Sequence, residues 1–318
     1  MKLIKVGTRG SRLAIAQTQI VLNKLSKFYP DLKYEIIKIV TSGDLDKQKP
    51  LFSMDRKGIF EKELNESVLN DEVDLAIHSV KDVPINIHKN LIISTIPKRD
   101  SIRDVLISKK KIKLMDLPEG SVVGTSSLRR AIQLAILRKD LKVKPIRGNV
   151  DTRIAKILKG DYDAVILAEA GLKRLAKTNI ISEVLDLKEF LPAPGQGAIG
   201  IVCKRNNKKL INLLNVLEHE PSRKAIEVER IFISKIGGGC RFPIGAYAVS
   251  SKVNNNIQFF SKIFSADGSN QLFYNFNGKY TSPKRLGNSA AKYFIKMGAL
   301  KLAQGWDEAV SEWNKKVS

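Results

Sequence analysis

The chain has 318 residues, with 55 Lys and Arg against 32 Asp and Glu, for a formal charge of +23 at neutral pH. Its 43% hydrophobic and 27% charged content suits a globular chain long enough for two or three cored domains. No run approaches the roughly 20 apolar residues that span a bilayer. Two cysteines argue against a disulfide scaffold and fit a reducing compartment. The first residues, MKLIKVGTRGS, lack the apolar core of a signal peptide, so the expected location is the cytoplasm.

Residues 3–8, LIKVGT, read as a strand, and residues 11–29 as an amphipathic helix that Ser11 can cap. A second strand at 34–40 and a second helix at 59–70 are separated by a polar stretch, 41–58, that has no periodicity and is expected to form a lid. Short buried strands follow at 74–80 and 91–97. Segments 104–109 and 121–127 open a second alternating block, continued through 128–140, 143–148, 149–160 and 163–171. Residues 191–204 lead into another strand and helix. Alternation of this kind predicts α/β architecture with largely parallel sheets. Beyond Pro221 come one helix to Ile233, three strand-like segments at 247–252, 257–265 and 272–280, and a final helical stretch. That order predicts a small α+β domain with an antiparallel sheet.

The positive charge raises nucleic acid as a partner, yet most lysines are scattered over helix faces and no aromatic-rich or zinc-finger pattern accompanies them. Arginines, in contrast, gather near turns: Arg9, Arg129, Arg130, Arg147, Arg153 and Arg174. The planar guanidinium fork suits carboxylates and phosphates, which favours a small polyanion. In GTSSLRR, residues 124–130, Thr125, Ser126 and Ser127 lie between a strand and a helix, where free amides and the helix dipole attract an anion. Plain N-capping by serine is the simpler alternative. RGNVDTR, residues 147–153, repeats the strand–glycine–helix arrangement with an arginine at each end. Lys81 and Asp82 in HSVKDVP stand just past a buried strand, at the edge where open α/β sheets bind ligands; a surface ion pair would explain them equally simply.

GQGAIG, residues 195–200, matches a dinucleotide fingerprint formally but is preceded by Pro192 and Pro194 and followed by a strand, so it fails that motif's structural requirement. Three histidines and two cysteines without ligand spacing predict no metal site. Cys203 sits in an apolar strand pattern, whereas Cys240 lies behind three glycines in SKIGGGCRFPIGA. Glycine allows close backbone approach, so something bulky beside the Cys240 thiol is one reading and a flexible loop the other.

In order along the chain, TRGSRLAIAQ, HSVKDVP, GTSSLRR, RGNVDTR, LAEAGLKRL, PAPGQGA and GGGCRFPIGA resemble the motifs of the porphobilinogen deaminase (hydroxymethylbilane synthase) family of tetrapyrrole biosynthesis. The resemblance implies two α/β domains of periplasmic-binding-protein type around a cleft, plus a small C-terminal α+β domain. The implied boundaries are 1–97 with 198–219, then 98–197, then 220–318. It further implies a dipyrromethane cofactor joined through a thioether to Cys240, on which four porphobilinogen molecules are polymerised with loss of ammonia before hydrolysis releases hydroxymethylbilane. Asp82 would be the catalytic carboxylate. Arg9, Ser11, Lys81, Thr125, Ser126, Ser127, Arg129, Arg130, Arg147, Arg153 and Arg174 would bind cofactor or substrate carboxylates, with Gln196 and Gly197 at the hinge side of the cleft. Lys57, Gly58 and Phe60 would belong to the lid, and the implied state is a cytoplasmic monomer binding neither nucleic acid nor membrane. Two departures from the family pattern stand out: MDRKGIF before the lid helix, and Glu169 where a small apolar residue is common. A non-catalytic small-anion-binding protein on the same cleft is the alternative function, but it would need neither Cys240 nor Asp82.

Overall fold

The computed structural model describes residues 3–41, 61–237 and 242–315. Cys240, Lys57, Gly58, Phe60 and all of the expected lid except Thr41 lie outside the described residues. Strand β1 (Ile4–Arg9) runs into helix α1 (Arg12–Phe28), whose start is set by Ser11: its Oγ accepts the Ala14 N–H at 3.2 Å. Val21, Leu22 and Leu25 turn one face of α1 onto the sheet, at the spacing of an amphipathic helix. Strand β2 (Tyr34–Ile39), helix α2 (Lys62–Leu69), strand β3 (Leu75–Ser79) and strand β4 (Leu91–Thr95) follow, and a single 3-10 turn, Val80–Asp82, closes β3.

The chain then builds a second layer from β5 (Asp104–Ser108), β6 (Val122–Gly124), α3 (Leu128–Leu137), β7 (Lys142–Lys144), α4 (Val150–Lys159), β8 (Ala164–Ala168), α5 (Glu169–Arg174) and β9 (Glu183–Val184). Their sheet order is β7-β6-β8-β5-β9. β10 (Ile199–Lys204) returns to the first sheet, which reads β2-β1-β3-β10-β4. This corrects the expectation of largely parallel sheets. β1 is parallel to β2 and β3, but β10 is antiparallel to both β3 and β4. In the second sheet, β5 likewise runs antiparallel to β8 and β9. The reversal follows from chain crossing: each sheet takes in a strand that arrives from the other unit, without an intervening helix to turn it.

Helices α6 (Lys208–Leu214) and α7 (Glu220–Ile236) lead to a third, antiparallel sheet of β11 (Ile244–Ser251), β12 (Asn256–Phe264) and β13 (Gln271–Lys279). Helices α8 (Pro283–Lys296), α9 (Ala299–Leu302) and α10 (Trp306–Lys315) complete it. Its core packs Val228, Phe232 and Ile236 of α7 against Phe259 of β12 and Phe294 of α8, with Phe232 edge-on to both rings. Cys203 is fully buried on β10 in the core of the first unit.

Two crossing segments, around residues 96–103 and 193–198, join the α/β units. The Asp100 N–H donates to the Gly197 carbonyl at 3.2 Å, and the Val80 N–H to that of Ala198 at 3.0 Å. Gly195 and Gly197 have φ of +79° and +83°. A β-carbon on Gly195 would lie 2.9 Å from the Lys81 nitrogen, and one on Gly197 would strike the Ser101 carbonyl, so both conformation and space require glycine.

A buried ion pair fastens this crossing to the third unit. Arg99 donates through Nη1 and Nη2 to the Glu229 carboxylate of α7 at 2.6 and 3.1 Å, and through Nε to the Gln196 carbonyl at 2.8 Å. The same carboxylate accepts the Gly195 N–H at 2.6 Å and the Ala248 N–H at 2.8 Å. Glu229 is 0% exposed, so removing it would strand a buried guanidinium and two amides. Glu229→Ala is expected to cost about 3–5 kcal/mol of stability, read from the urea midpoint, whereas a loss near that of a surface pair, about 0.5 kcal/mol, would contradict the role.

Candidate active site

One wall of the cleft is the edge of the first sheet where β1 and β3 end. Asp82 is exposed in the 3-10 turn, which the buried Val80 and Val83 anchor on either side, with the Val83 N–H bonded back to the Val80 carbonyl at 3.1 Å. Lys81 beside it is half-buried, and burial lowers its pKa. Asp82 and Asp104 oppose that shift, while Arg130 and Arg129 add to it. Lys81 therefore sits where the two α/β units face each other, within the fields of both. Arg9, at the end of β1, is half-buried and lies close enough to His78 and Glu61 to act on the charge of each.

The other wall is the start of α3 and α4. Ser127 caps α3, its Oγ accepting the Arg130 N–H at 3.4 Å, and Thr125 Oγ1 accepts the Ser127 N–H at 3.1 Å. The Ser126 hydroxyl donates to the Ile146 carbonyl. Asn149 caps α4 through the Thr152 N–H at 2.9 Å, between Arg147 and Arg153. The serine-capping alternative for GTSSLRR thus describes Ser127, and Thr125 is fully buried.

Arg129 and Arg130 are 3% and 7% exposed, and both grip Asp104 at the start of β5. Arg129 Nη2 meets Asp104 Oδ2 at 2.8 Å, and Arg130 Nη2 meets Oδ1 at 2.6 Å. Gln196 adds a third donor to the carboxylate, through Nε2 to Oδ1 at 2.7 Å. The remaining terminal nitrogens donate to the Leu191 and Ile166 carbonyls. Burial alone would raise the Asp104 pKa, but the charges and hydrogen bonds of Arg130 and Arg129 hold it well below the carboxylate range. The structure therefore places this arginine pair inside the fold and shares it with Asp104, rather than presenting two bare guanidinium groups.

Arg153 differs. Its Nε donates to the Gly148 carbonyl at 2.9 Å, and burial followed by the like charge of Arg130 lowers its pKa to about 10. Burial, and then the like charge of Arg130, disfavour the charged guanidinium there. Arg174 Nη2 donates to the Gly197 carbonyl at 2.6 Å, which puts it at the hinge with Gln196; Arg147 is half-buried just after β7. Lys81, Asp82, Arg129, Arg130, Arg153 and Gln196 are thus brought together by contact or field, and Ser11 stands at the head of α1.

Sequence reasoning missed Asp104, Glu61 and His78. An aspartate opening the otherwise apolar strand DVLIS, buried along its whole length, was the available signal for Asp104. Glu169, the departure noted in LAEAGLKRL, is accounted for: it accepts from the Ser101 hydroxyl and pairs with Lys173 at 2.9 Å, one helical turn on. These partners outweigh its burial and lower its pKa, so its charge is matched within the hinge.

The fold and these walls define a class: a protein of two α/β units facing across a cationic cleft, with one exposed carboxylate at a strand end. The family described as "Porphobilinogen deaminase, dipyromethane cofactor binding domain" matches residues 4–212, and "Porphobilinogen deaminase, C-terminal domain" matches residues 224–296. The chain belongs to the porphobilinogen deaminase family. It is 46% identical over 315 residues to the "Probable porphobilinogen deaminase" of Nitrosopumilus maritimus, covering 99% of this chain and 100% of that protein. The porphobilinogen deaminase of Bacillus subtilis is 40% identical over 300 residues, covering 94% of this chain and 95% of that protein. A solved structure of a putative methionine-binding lipoprotein from Bacillus subtilis covers 67% of this chain and 90% of its own, at 13% identity and a TM-score of 0.42.

Asp104 yields a prediction with a definite pH sign. Its folded pKa is depressed, so its stabilisation is complete above the ordinary aspartate value of about 4 and is lost as pH falls below that. Asp104→Asn should destabilise the protein by about 3–5 kcal/mol at neutral pH and flatten this acid-side slope, both read from thermal melts across pH. A variant melting with the parent's slope would refute the assignment.

Proposed function

We propose that this chain is a hydroxymethylbilane synthase, joining four porphobilinogen molecules head to tail with loss of ammonia and releasing the linear product by hydrolysis. The observation that carries this reading is the exposed carboxylate of Asp82 opposite a cluster of cations with too few anions among them. Porphobilinogen bears an acetate and a propionate, so each added unit brings two negative charges. Arg153 and Arg130, whose positive charges oppose each other, would be relieved by such carboxylates. The side-chain oxygen Oε1 of buried Gln196 has no protein partner among the described residues, so that corner also has hydrogen-bonding capacity left over. These residues fit a dipyrromethane with its four carboxylates, and Cys240 is the proposed thioether anchor. When bound, that group supplies the pyrrole α-carbon to which the first substrate unit is joined.

The chain's own residues do the rest. The Asp82 carboxylate faces the positive charge that develops on the pyrrole nitrogens as ammonia departs and the new carbon–carbon bond forms, and it can take the proton lost from the α-carbon. Lys81, Arg153 and the α3 start hold side-chain carboxylates and fix the ring orientation. Hinge residues Arg174, Gln196 and Gly197 adjoin the same cleft. We place the domains at 1–97 with 198–219, 98–197 and 220–318, consistent with the return of β10 to the first sheet. We further infer a cytoplasmic monomer; among the described residues no helix is long and apolar enough to cross a membrane. Plain anion binding is not favoured, because a carboxylate set into a cationic cleft weakens such binding.

Two outcomes test this reading. Purified protein should be heavier than its chain by one dipyrromethane, absent from Cys240→Ser, and Asp82→Asn should cut kcat at least a hundredfold while KM changes little, as expected for charge stabilisation worth about 3 kcal/mol. Near-normal kcat with a raised KM would overturn the role of Asp82. Separately, Arg153→Leu should stall elongation at a defined number of bound substrates in native mass spectra, slowing that step by about ten- to a hundredfold. Lys208→Gln, on an exposed face of α6, should leave the ladder intact, and identical ladders for the two variants would count against a specific carboxylate site.

A further inference from the structure

We propose that Arg230, on helix α7, is a positioning residue for Asp82: it gathers the backbone carbonyls that follow Asp82 and so fixes where that carboxylate stands in the cleft. The inference rests on the deaminase reading, in which Asp82 does the chemistry, and adds to it a residue that no motif of the sequence marks. Arg230 donates through Nη1 to the Val83 carbonyl at 3.1 Å, and through Nη2 to those of Pro84 and Ile85 at 2.7 and 3.0 Å. These are the three residues directly after Asp82.

Successive residues of an extended chain turn to opposite sides, so three carbonyls that reach one guanidinium require a curved backbone. Such curvature brings the oxygens together, and a cationic donor between them compensates with charge-assisted hydrogen bonds. No backbone N–H among the described residues donates to any of the three. Pro84 adds a constraint, because its ring keeps the residue before it extended, as Val83 is at φ −71° and ψ 125°. Side chains hold the same segment from both sides. Val83 is buried in the core of the first unit, where Ile226 of α7 also packs, and Ile85 packs on the core of the third. The segment is a strap between the units, and Arg230 is its clasp.

Asp82 is exposed at the end of the 3-10 turn, so its place is set by the backbone on either side. Upstream, the Val80 N–H holds the Ala198 carbonyl at 3.0 Å. Downstream, past the Val83 N–H that closes the turn, the polar anchors are those of Arg230. The same helix supplies a comparison. Arg223, seven residues and so about two turns earlier, lies on the same face of α7 and donates to the Ile93 and Ser94 carbonyls at 3.0 and 2.9 Å. It grips β4, which β10 separates from β3 and its turn. Loss of Arg223 loosens the seam between α7 and the first sheet, whereas loss of Arg230 also frees the carboxylate. A carboxylate that drifts from the developing charge slows the reaction while the cations opposite still bind substrate, so the effect falls on kcat and not on KM.

The experiment uses cofactor-loaded protein, with loading read from intact mass, at a temperature where every variant is folded. Arg230→Met keeps an apolar stem and removes the guanidinium; it should cut kcat about tenfold with KM little changed. Arg230→Lys, whose single ammonium can still reach these carbonyls, should recover part of that loss, and it carries the comparison alone should R230M fold poorly. Arg223→Met should keep kcat within about twofold of the parent. In an Asp82→Asn background, Arg230→Met should lower kcat no further, because the group it positions is gone. Hydrogen exchange should quicken over residues 80–88 in R230M and not in R223M. An unchanged kcat in R230M, an equal loss with and without the Asp82 carboxylate, or unchanged exchange over 80–88 overturns the proposal. If Asp82→Asn alone keeps the parent's kcat, the role given to Asp82 fails, while hydrogen exchange still judges whether Arg230 holds the turn.

Discussion

The bidentate contact between Arg99 and Glu229 is the constraint on which the positions of the other parts depend. Four hydrogen bonds converge on the one buried carboxylate carried by α7, three of them from the crossing residues Arg99 and Gly195 and one from Ala248 of β11. A buried ion pair is a poor source of net stability because both ions lose their water. Its value here is geometric. The carboxylate fixes the amide of Gly195, and Gly195 in turn packs on the backbone of Lys81, next to Asp82. A displacement of α7 would therefore be transmitted to the Lys81–Asp82 turn across only a few bonded atoms.

Charge is distributed unevenly around this frame, and the unevenness follows from which carboxylates are buried. Asp104 neutralises the Arg129–Arg130 pair from within, so those two arginines stiffen the start of α3 as much as they add field to the cleft. Arg153 shares no carboxylate among the described residues, and burial and then the charge of Arg130 lower its pKa. Glu169, in turn, is matched by Ser101 and Lys173. The cleft thus combines a buried arginine pair charge-matched to Asp104 with an arginine, Arg153, that shares no carboxylate among the described residues. A site that must accept a growing polyanion without collapsing when empty needs both.

Much of this arrangement was legible in the sequence, and the parts that were not share a cause. Helix α1 and its Ser11 cap, the strand ends at Lys81 and Asp82, and the serine cap of α3 are local features that a window of a few residues specifies. The sense of the sheets was not legible, because β10 lies more than 100 residues from the β3 and β4 strands between which it inserts. Arg129 and Arg130 read as free cations for the same reason: Asp104 stands 25 and 26 residues earlier, in what looked like an ordinary buried strand.

The insertion of β10 also sets an order in time. A chain emerging from the ribosome has every strand of its second sheet once Val184 is made. The first sheet began earlier, at Ile4, yet it lacks the strand between β3 and β4 until Lys204 appears. Until then the facing edges of β3 and β4 present unpaired backbone groups and apolar side chains, the kind of surface that associates wrongly between nascent chains. Of the two α/β units, the one that starts first is thus the one that closes last, and synthesis past residue 204 is the step that retires its exposed edges.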